Sequence, residues 1–350
     1  MTVLVTGASG FVGGAVVRAL ADHGVAVRAM VRDTSSVRFD EPGADVPTRV
    51  PVEVVAADLR DHVAVARAVF DTTAVVHAAA LLGESGRASD FFETNVAGTD
   101  TLLQEAEAAG VRRFVFLGSP SALMDPRGGD QLDIDESVPY PATFLNSYCE
   151  TKAVAEQLVL AANTPFFTTC SLRPRAVWGP GDRGGPVPQI LLKLRGGRLP
   201  DLSGGRPVTA SLCYIDHLVQ AVRAALTAEN IGGRSYFVAD AEPVPVWPTL
   251  ARVAEEFGLA PPSRAIPAGV VTGALSVIET IRRLPGVAER WTPPLSRYAV
   301  ALVTRSATYD TGAARRDLGF DPRVSFDDGL RAYHRWVDDQ GGLDVLLEGL

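Results

Sequence analysis

A doubly wound α/β fold, built on a parallel sheet with a smaller C-terminal domain, is what this chain predicts, and three observations predict it. Strand and helix patterns alternate over the first 172 residues, which calls for crossover helices packed on a parallel sheet. Glycines at positions 7, 10 and 13 separate the first strand from the first helix. After that half, proline and glycine break the chain into shorter elements, as in WGPGDRGGP, EPVPVWP and APPSRAIPAG.

The elements follow in order. TVLVT is a short apolar strand closed by Gly7, and GFVGGAVVRALADHG has helical apolar spacing ending at Gly24. VAVRAMV and PVEVVAAD are strand candidates, HVAVARAVFD is a helix and AVVHAA a buried strand. FFETNVAGTDTLLQEAEAAG predicts one long helix stopping at Gly110, followed by the strand RFVFLGS. A helix from about Tyr148 to Asn163 and a strand, FFTTCSLRP, complete the series. This places a Rossmann-type dinucleotide-binding domain at 1–172 and a mostly substrate-binding domain at 173–350, with some segments of the latter returning to the sheet.

Bulk composition narrows the function. At 350 residues with 47% apolar and 21% charged residues, the chain is a globular protein rather than a disordered one. A net charge of −8 disfavours a nucleic-acid partner, which selects for a basic face. Cys149, Cys170 and Cys213 show no CxxC spacing, and the five histidines do not cluster. That predicts a reduced, cytoplasmic protein with no metal site. The N-terminal MTVLVTGASG has no basic targeting region, and no run of about 18 uncharged apolar residues exists to span a membrane.

Between a strand and a helix, the GxxGxxG of TGASGFVG allows a tight turn and a close backbone approach to a pyrophosphate. Gly7, Ser9, Gly10, Phe11, Val12 and Gly13 are therefore candidate cofactor-binding residues. NAD binders place Asp or Glu about 20 residues further on, to hold a ribose hydroxyl. Here the second strand ends AMVRD, with Val31 at that place and Arg32 after it. Arg32 suits a 2′-phosphate, so NADP(H) is favoured, while the neighbouring Asp33 leaves NAD(H) open.

Lys152 is one of only two lysines among 33 basic residues, and it follows Tyr148 by four. On a helix both side chains share a face. An ammonium about 4 Å from a phenol contributes roughly 4 kcal/mol at an effective dielectric near 20. That is at most about three pKa units downward, enough to bring a phenol into acid–base range.

TGASGFVG, VVHAAA, FFETNVAGT, FVFLGSPSA and YCETK, in that order, resemble the extended short-chain dehydrogenase/reductases. SLRPRAVWGPGD and SATYDTGAARRDLGFDPRVSFDDGL look like its 3β-hydroxysteroid dehydrogenase-like branch, which borders the epimerase/dehydratase-related enzymes. The resemblance covers nearly the whole chain. It implies Tyr148 as catalytic acid–base residue, Lys152 as its electrostatic partner and ribose ligand, and Ser119 as the serine that holds the substrate oxygen, with Ser121 a neighbouring competitor. It further implies cofactor contacts from Asp58 and Leu59 beside the adenine, from Ala78 and Ala79 beside the ribose, and from Asn95 and Pro174. Asn95 is read equally as a structural helix-kinking residue and as a proton relay, and His77 equally as a satisfied core histidine. Relatives commonly read Thr-Ser-Ser where this chain has Leu117-Gly118-Ser119, a departure beside the nicotinamide.

The implied activity is an NAD(P)-dependent ketoreductase or hydroxy dehydrogenase acting on a bulky, largely apolar carbonyl or alcohol: steroid-, polyketide- or 3-ketoacid-like. Sugar-nucleotide dehydratases carry Asp-Glu after the catalytic Ser or Thr, where this chain has Pro120 and Ser121. The alternative of a sugar-nucleotide epimerase wants a diphosphate-gripping Arg where TASLCYIDHL has Ala210, although Arg206 lies four residues earlier. A non-catalytic NADP-binding sensor or scaffold is the second alternative. Segment 268–286 predicts a helix packing over the pocket or against a partner subunit, a homodimer being one reading, with weak interfacial membrane contact the other.

Overall fold

The computed structural model describes residues 1–37, 49–83, 86–197, 199–262, 265–267, 270, 273 and 296–350. The first half runs β1 (Thr2–Thr6), α1 (Phe11–Asp22), β2 (Ala26–Val31), β3 (Val52–Ala56), α2 (His62–Val69), β4 (Ala74–His77), α3 (Ala88–Phe91), α4 (Gly98–Ala108), β5 (Arg113–Leu117), β6 (Gln131–Ile134), α5 (Ser147–Ala161) and β7 (Thr168–Pro174). Next come β8 (Val177–Trp178), α6 (Pro186–Arg195), β9 (Thr209–Ala210), β10 (Cys213–Tyr214), α7 (Ile215–Ala225), β11 (Arg234–Val238), β12 (Val244–Pro245) and α8 (Val246–Glu256). The chain ends with α9 (Arg297–Thr304), β13 (Ala307–Tyr309), α10 (Gly312–Leu318), α11 (Phe326–Asp339) and α12 (Leu343–Glu348).

Seven strands form the main sheet in the order β11-β7-β5-β4-β1-β2-β3, and every pairing is parallel. A parallel sheet is covered on both faces, which is why AVVH of β4 and FVFL of β5 are buried without alternation. One face packs Val16, Val17 and Leu20 of α1 with Leu218 and Val222 of α7 and Leu318 of α10. The other packs Val65 of α2, Leu102 and Ala106 of α4, and Val159 of α5. Strand order reverses between β1 and β4, and open α/β sheets bind ligands in the crevice beyond the carboxyl ends of the strands at such a point.

Two features of the fold bear on that crevice. The long helix predicted from residue 91 to 110 is interrupted: a π-helical turn, Phe92–Ala97, lies between α3 and α4. Asn95 sits in the turn and accepts from the Leu81 N–H at 2.7 Å, while its amide donates to Leu81 O and to Thr151 Oγ1 at 3.1 Å each. Single π-helical turns of this kind occur inside α-helices, frequently at functional sites. In addition, β6 leaves the main sheet to pair with β13 in a four-stranded sheet, order β12-β9-β13-β6. That pairing lays α9 against the short turn that follows β5.

No helix among the described residues is long and apolar enough to cross a membrane. The predicted helix at 268–286 lies almost wholly outside the described residues.

Candidate active site

The phosphate cradle is built from backbone. Gly7 has a positive φ of 65°, and a Cβ there would lie 2.8 Å from the backbone N and Cα of Ala79. A Cβ on Gly13 would lie 2.7 Å from the Gly7 carbonyl carbon. Only glycine lets the loop, α1 and the end of β4 approach this closely. Gly10 is the N-cap of α1 and offers no side-chain cap, so the helix's free N–H groups face outward together with exposed Ser9. Phe11 and Val12 turn their side chains away, into the cluster around Trp178, Tyr214 and Tyr333. They have only backbone to give a phosphate. The cradle fits a dinucleotide's pyrophosphate.

At the far side of the crevice Arg32 is exposed at the end of β2. Asp33 caps its own turn, accepting from Ser35 N at 2.9 Å and Ser35 Oγ at 2.7 Å. Asp58 is paired with Arg60 through Nε at 2.9 Å and Nη2 at 2.7 Å, with Arg32 within electrostatic reach. Those contacts, the Arg60 hydrogen bond first, hold its carboxyl down to about 2. Leu59 is buried against α4, where a Cβ on Gly98 would come within 2.8 Å of it.

His77 closes the end of β4 as a satisfied core residue. Thr99 Oγ1 donates to Asn95 O at 2.6 Å, so it accepts from His77 Nε2–H at 2.9 Å. Nδ1 is then the acceptor and takes the Thr6 hydroxyl at 2.7 Å, and Thr6 Oγ1 in turn receives the Ala79 N–H at 3.1 Å. Burial, helped by Lys152, pushes the imidazole down to about 3. It is neutral, and its single N–H is given to Thr99. Asn95 likewise spends its amide on Leu81 and Thr151, tying the loop after β4 to α5.

Helix α5 is capped by Asn146, whose side chain accepts from Cys149 N at 2.9 Å. It presents Tyr148, Lys152 and Glu156 one turn apart along one side. The Tyr148 hydroxyl hydrogen-bonds Ser119, which begins the turn after β5, and Ser119 Oγ also accepts from Ser121 N at 3.2 Å. Lys152 is buried, donates to Leu117 O at 2.5 Å and rests 4.1 Å above the Phe116 ring. Here the sequence expectation is corrected. Burial outweighs the other influences on Tyr148 and pushes its phenol up to about 12 rather than down. Desolvation also draws Lys152 down to about 8, against the opposing pull of Glu156.

Glu156 explains the Gly118 departure. It is fully buried, paired with Arg173 Nη2 at 2.7 Å and Nε at 3.0 Å, and it accepts from Tyr140 at 2.7 Å and from Ser171. A Cβ on Gly118 would sit 2.5 Å from Ser171 Oγ and 2.6 Å from Glu156 Oε1. The space a side chain at 118 would need is taken in part by the Ser171 hydroxyl of β7. Pro174, the last residue of β7, is buried beside this cluster.

Two side chains in the centre escaped the sequence reading. Arg175 is buried and donates to Ala307 O at 3.0 Å and Leu302 O at 3.1 Å, fastening α9 and β13 to the sheet. Tyr298 of α9 stands edge-on to Tyr148, ring centroids 6.3 Å apart. No local motif marks it, because α9 is brought to the site by tertiary contacts, the pairing of β13 with β6 and β9 and the Arg175 bonds.

A family model described as the 3-beta hydroxysteroid dehydrogenase/isomerase family matches residues 4–268. A 2-alkyl-3-oxoalkanoate reductase of Stenotrophomonas maltophilia is 35% identical, covering 95% of this chain and 98% of that protein. A 4-hydroxy-2-methyl-3-oxo-4-farnesyl-3,4-dihydroquinoline-1-oxide ketoreductase of Stigmatella aurantiaca is 32% identical over 95% of each chain. Among solved structures, MoeE5 in complex with UDP-glucose and NAD has the same fold, with a TM-score of 0.73 at 23% identity over 98% of this chain and 100% of that one.

Replacing Gly118 with Ala should destabilise the protein by about 1–3 kcal/mol through overpacking, as read by urea denaturation. Adding Ser171→Ala should return part of that loss, because it removes one of the two atoms met. A neutral Gly118→Ala would contradict the packing described.

Proposed function

The chain belongs to the 3-beta hydroxysteroid dehydrogenase/isomerase family, and from that premise we propose that it reduces the carbonyl of a bulky, largely apolar small molecule with NADPH. It is an NAD(P)-dependent oxidoreductase of the extended short-chain dehydrogenase/reductase type. The observation that carries the reading is the hydrogen-bonded Ser119–Tyr148 pair beside buried Lys152, at the switch point that also holds the phosphate cradle. Relatives named for 3-oxoalkanoates, a farnesylated quinoline oxide and 3β-hydroxysteroids support an apolar ketone as substrate.

When bound, the cofactor supplies the hydride that the carbonyl carbon accepts. The residues of this chain do the rest. Ser119 holds the carbonyl oxygen by a hydrogen bond, which strengthens as negative charge develops there. Tyr148, kept protonated by burial, is a poor base and a competent acid toward an oxygen becoming an alkoxide. Lys152 keeps two N–H donors beyond the one given to Leu117, and these suit ribose hydroxyls.

NADP(H) is favoured by the region around Arg32. The nearby carboxylates are engaged, Asp33 with its own turn and Asp58 with Arg60, while the Arg32 guanidinium is exposed where a 2′-phosphate would lie. A sugar-nucleotide substrate fits poorly. Arg206, the nearest candidate for a diphosphate, is paired with Asp130 at 2.9 and 3.0 Å and bonded to Thr304 O at 2.8 Å. Ala210 is buried in β9, and Pro120 and Ser121 offer no carboxylate for elimination.

Three measurements test the reading. Tyr148→Phe should still bind NADPH by fluorescence titration but lose ketone reduction by about 10²–10⁴-fold, the range for a general acid. Undiminished reduction would sink it. Arg32→Ala should weaken NADPH by about tenfold, a charge-assisted contact's worth, and NADH much less. If both cofactors bind equally before and after the change, the 2′-phosphate assignment fails. Finally, kcat/KM for reduction should fall as pH rises through about 8, where Lys152 loses its proton and its positive charge. In Lys152→Arg, whatever rate survives, that limb should vanish because guanidinium stays charged.

A further inference from the structure

Lys152 carries its charge in surroundings that oppose it. The residue is 4% exposed, and its ammonium donates to Leu117 O at 2.5 Å with the Phe116 ring 4.1 Å away. A carbonyl and a ring face favour a cation, but neither has a net charge. Glu156 does, and it follows Lys152 by four residues of α5, a spacing that sets both on one helix face. The two groups also meet at a single peptide link. Lys152 holds the Leu117 carbonyl, and Glu156 Oε1 lies 2.6 Å from the place where Gly118 would carry a Cβ. Ordinary bond lengths then keep ammonium and carboxylate no more than about 10 Å apart. Even at that limit, with an effective dielectric of about 20, their attraction changes the proton affinity of the amine about tenfold.

The other ionisable groups around α5 do not take that part. His77 of β4 is neutral, burial and Lys152 holding its imidazole down to about 3, and burial keeps Tyr148 protonated. The turn after β5 brings the hydroxyls of Ser119 and Ser121 and no charge, while Arg113 stands at the opposite end of β5. Asp90, Asp100 and Glu105 are engaged with Arg87, Gln104 and His62, and Glu93, Glu107 and Glu150 are exposed. Arg173 and Tyr140 reach the carboxylate rather than the amine, each donating to Glu156 Oε2 at 2.7 Å, and leave Oε1 facing Gly118.

We propose that Glu156 is a positioning residue for the reduction: its buried carboxylate acts through Lys152, keeping the ammonium charged beside Tyr148, and Gly118 leaves the room that brings it to the strand end. This action needs no contact with substrate or cofactor. Glu156 indeed pulls against the desolvation of Lys152. The effect on rate rests on the ketoreductase reading. A purely structural brace would lower the rate alike at every pH, whereas a charge-holding carboxylate moves the pH at which the amine releases its proton.

Because the chain has only two lysines, that release can be watched directly. NMR titration of the whole protein, isotope-labelled at lysine Cε, gives two signals, and Lys193→Arg identifies that of exposed Lys193. In Glu156→Gln the Lys152 midpoint should fall by about one pH unit, the same tenfold in proton affinity. That variant leaves Arg173 buried and unpaired, so Glu156→Gln is also combined with Arg173→Met, since replacing both members of a buried pair is often neutral. There the midpoint should still fall, by less. Tyr140→Phe and Ser171→Ala loosen the same cluster but keep the carboxylate, and their midpoints should not fall. In each protein the high-pH limb of kcat/KM, measured with NADPH and methyl 3-oxodecanoate, should move with the midpoint. A midpoint unchanged in both Glu156 variants, or a limb that ignores a fallen midpoint, overturns the proposal. If the midpoint falls as expected but no protein, wild type included, reduces the ketone, Glu156 still governs Lys152 and the ketoreductase reading falls.

Discussion

A carboxylate and a guanidinium shielded from water hold the reactive helix in place. Glu156 and Arg173 are 0% and 3% exposed in their side chains, and between them they tie α5 to β7. Two desolvated charges are expensive, and their attraction does not by itself make a fold more stable than apolar packing would. Geometry is what they supply. Glu156 accepts from Arg173, Tyr140 and Ser171 at once, so the helix can neither slide nor rotate without leaving a buried charge unmatched. Lys152 and Tyr148 inherit that position, one and two turns earlier. The carboxylate also works against the desolvation that drains charge from Lys152.

The same economy of donors and acceptors runs through the rest of the crevice. Thr6, His77, Thr99 and Asn95 form one continuous chain in which each hydroxyl has a single assignable direction, and the imidazole is neutral as a result. Asn95 joins that chain to Leu81 and Thr151, so the loop after β4 and helix α5 share one support.

Much of this was legible in the linear chain. The glycines at 7, 10 and 13 announce a backbone approach, and the contact of Gly7 with Ala79 is the approach they permit. Tyr148 and Lys152 are paired by helical spacing alone, whereas Ser119 is singled out only by the resemblance of FVFLGSPSA to the family's segment. Their electrostatics were not legible. Spacing predicts that an ammonium lowers the phenol, but the burial of both groups, a property of the whole fold, raises Tyr148 and lowers Lys152. The long helix after β4 was equally plausible as one uninterrupted element, since nothing local reveals that the Asn95 side chain will find Leu81 and Thr151.

Local pattern thus determined the parallel sheet, the phosphate loop and the Tyr148–Lys152 spacing, because each depends on periodicity or on residues a few positions apart. Tertiary structure decided what required distant segments to meet. It gave Gly118 its reason, since Ser171 and Glu156 occupy the space a side chain would need. It divided the two serines, sending Ser119 to Tyr148 and Ser121 to Tyr298. That last pairing joins residues 177 positions apart, brought together where β13 joins β6 and β9 and where Arg175 ties α9 to the sheet.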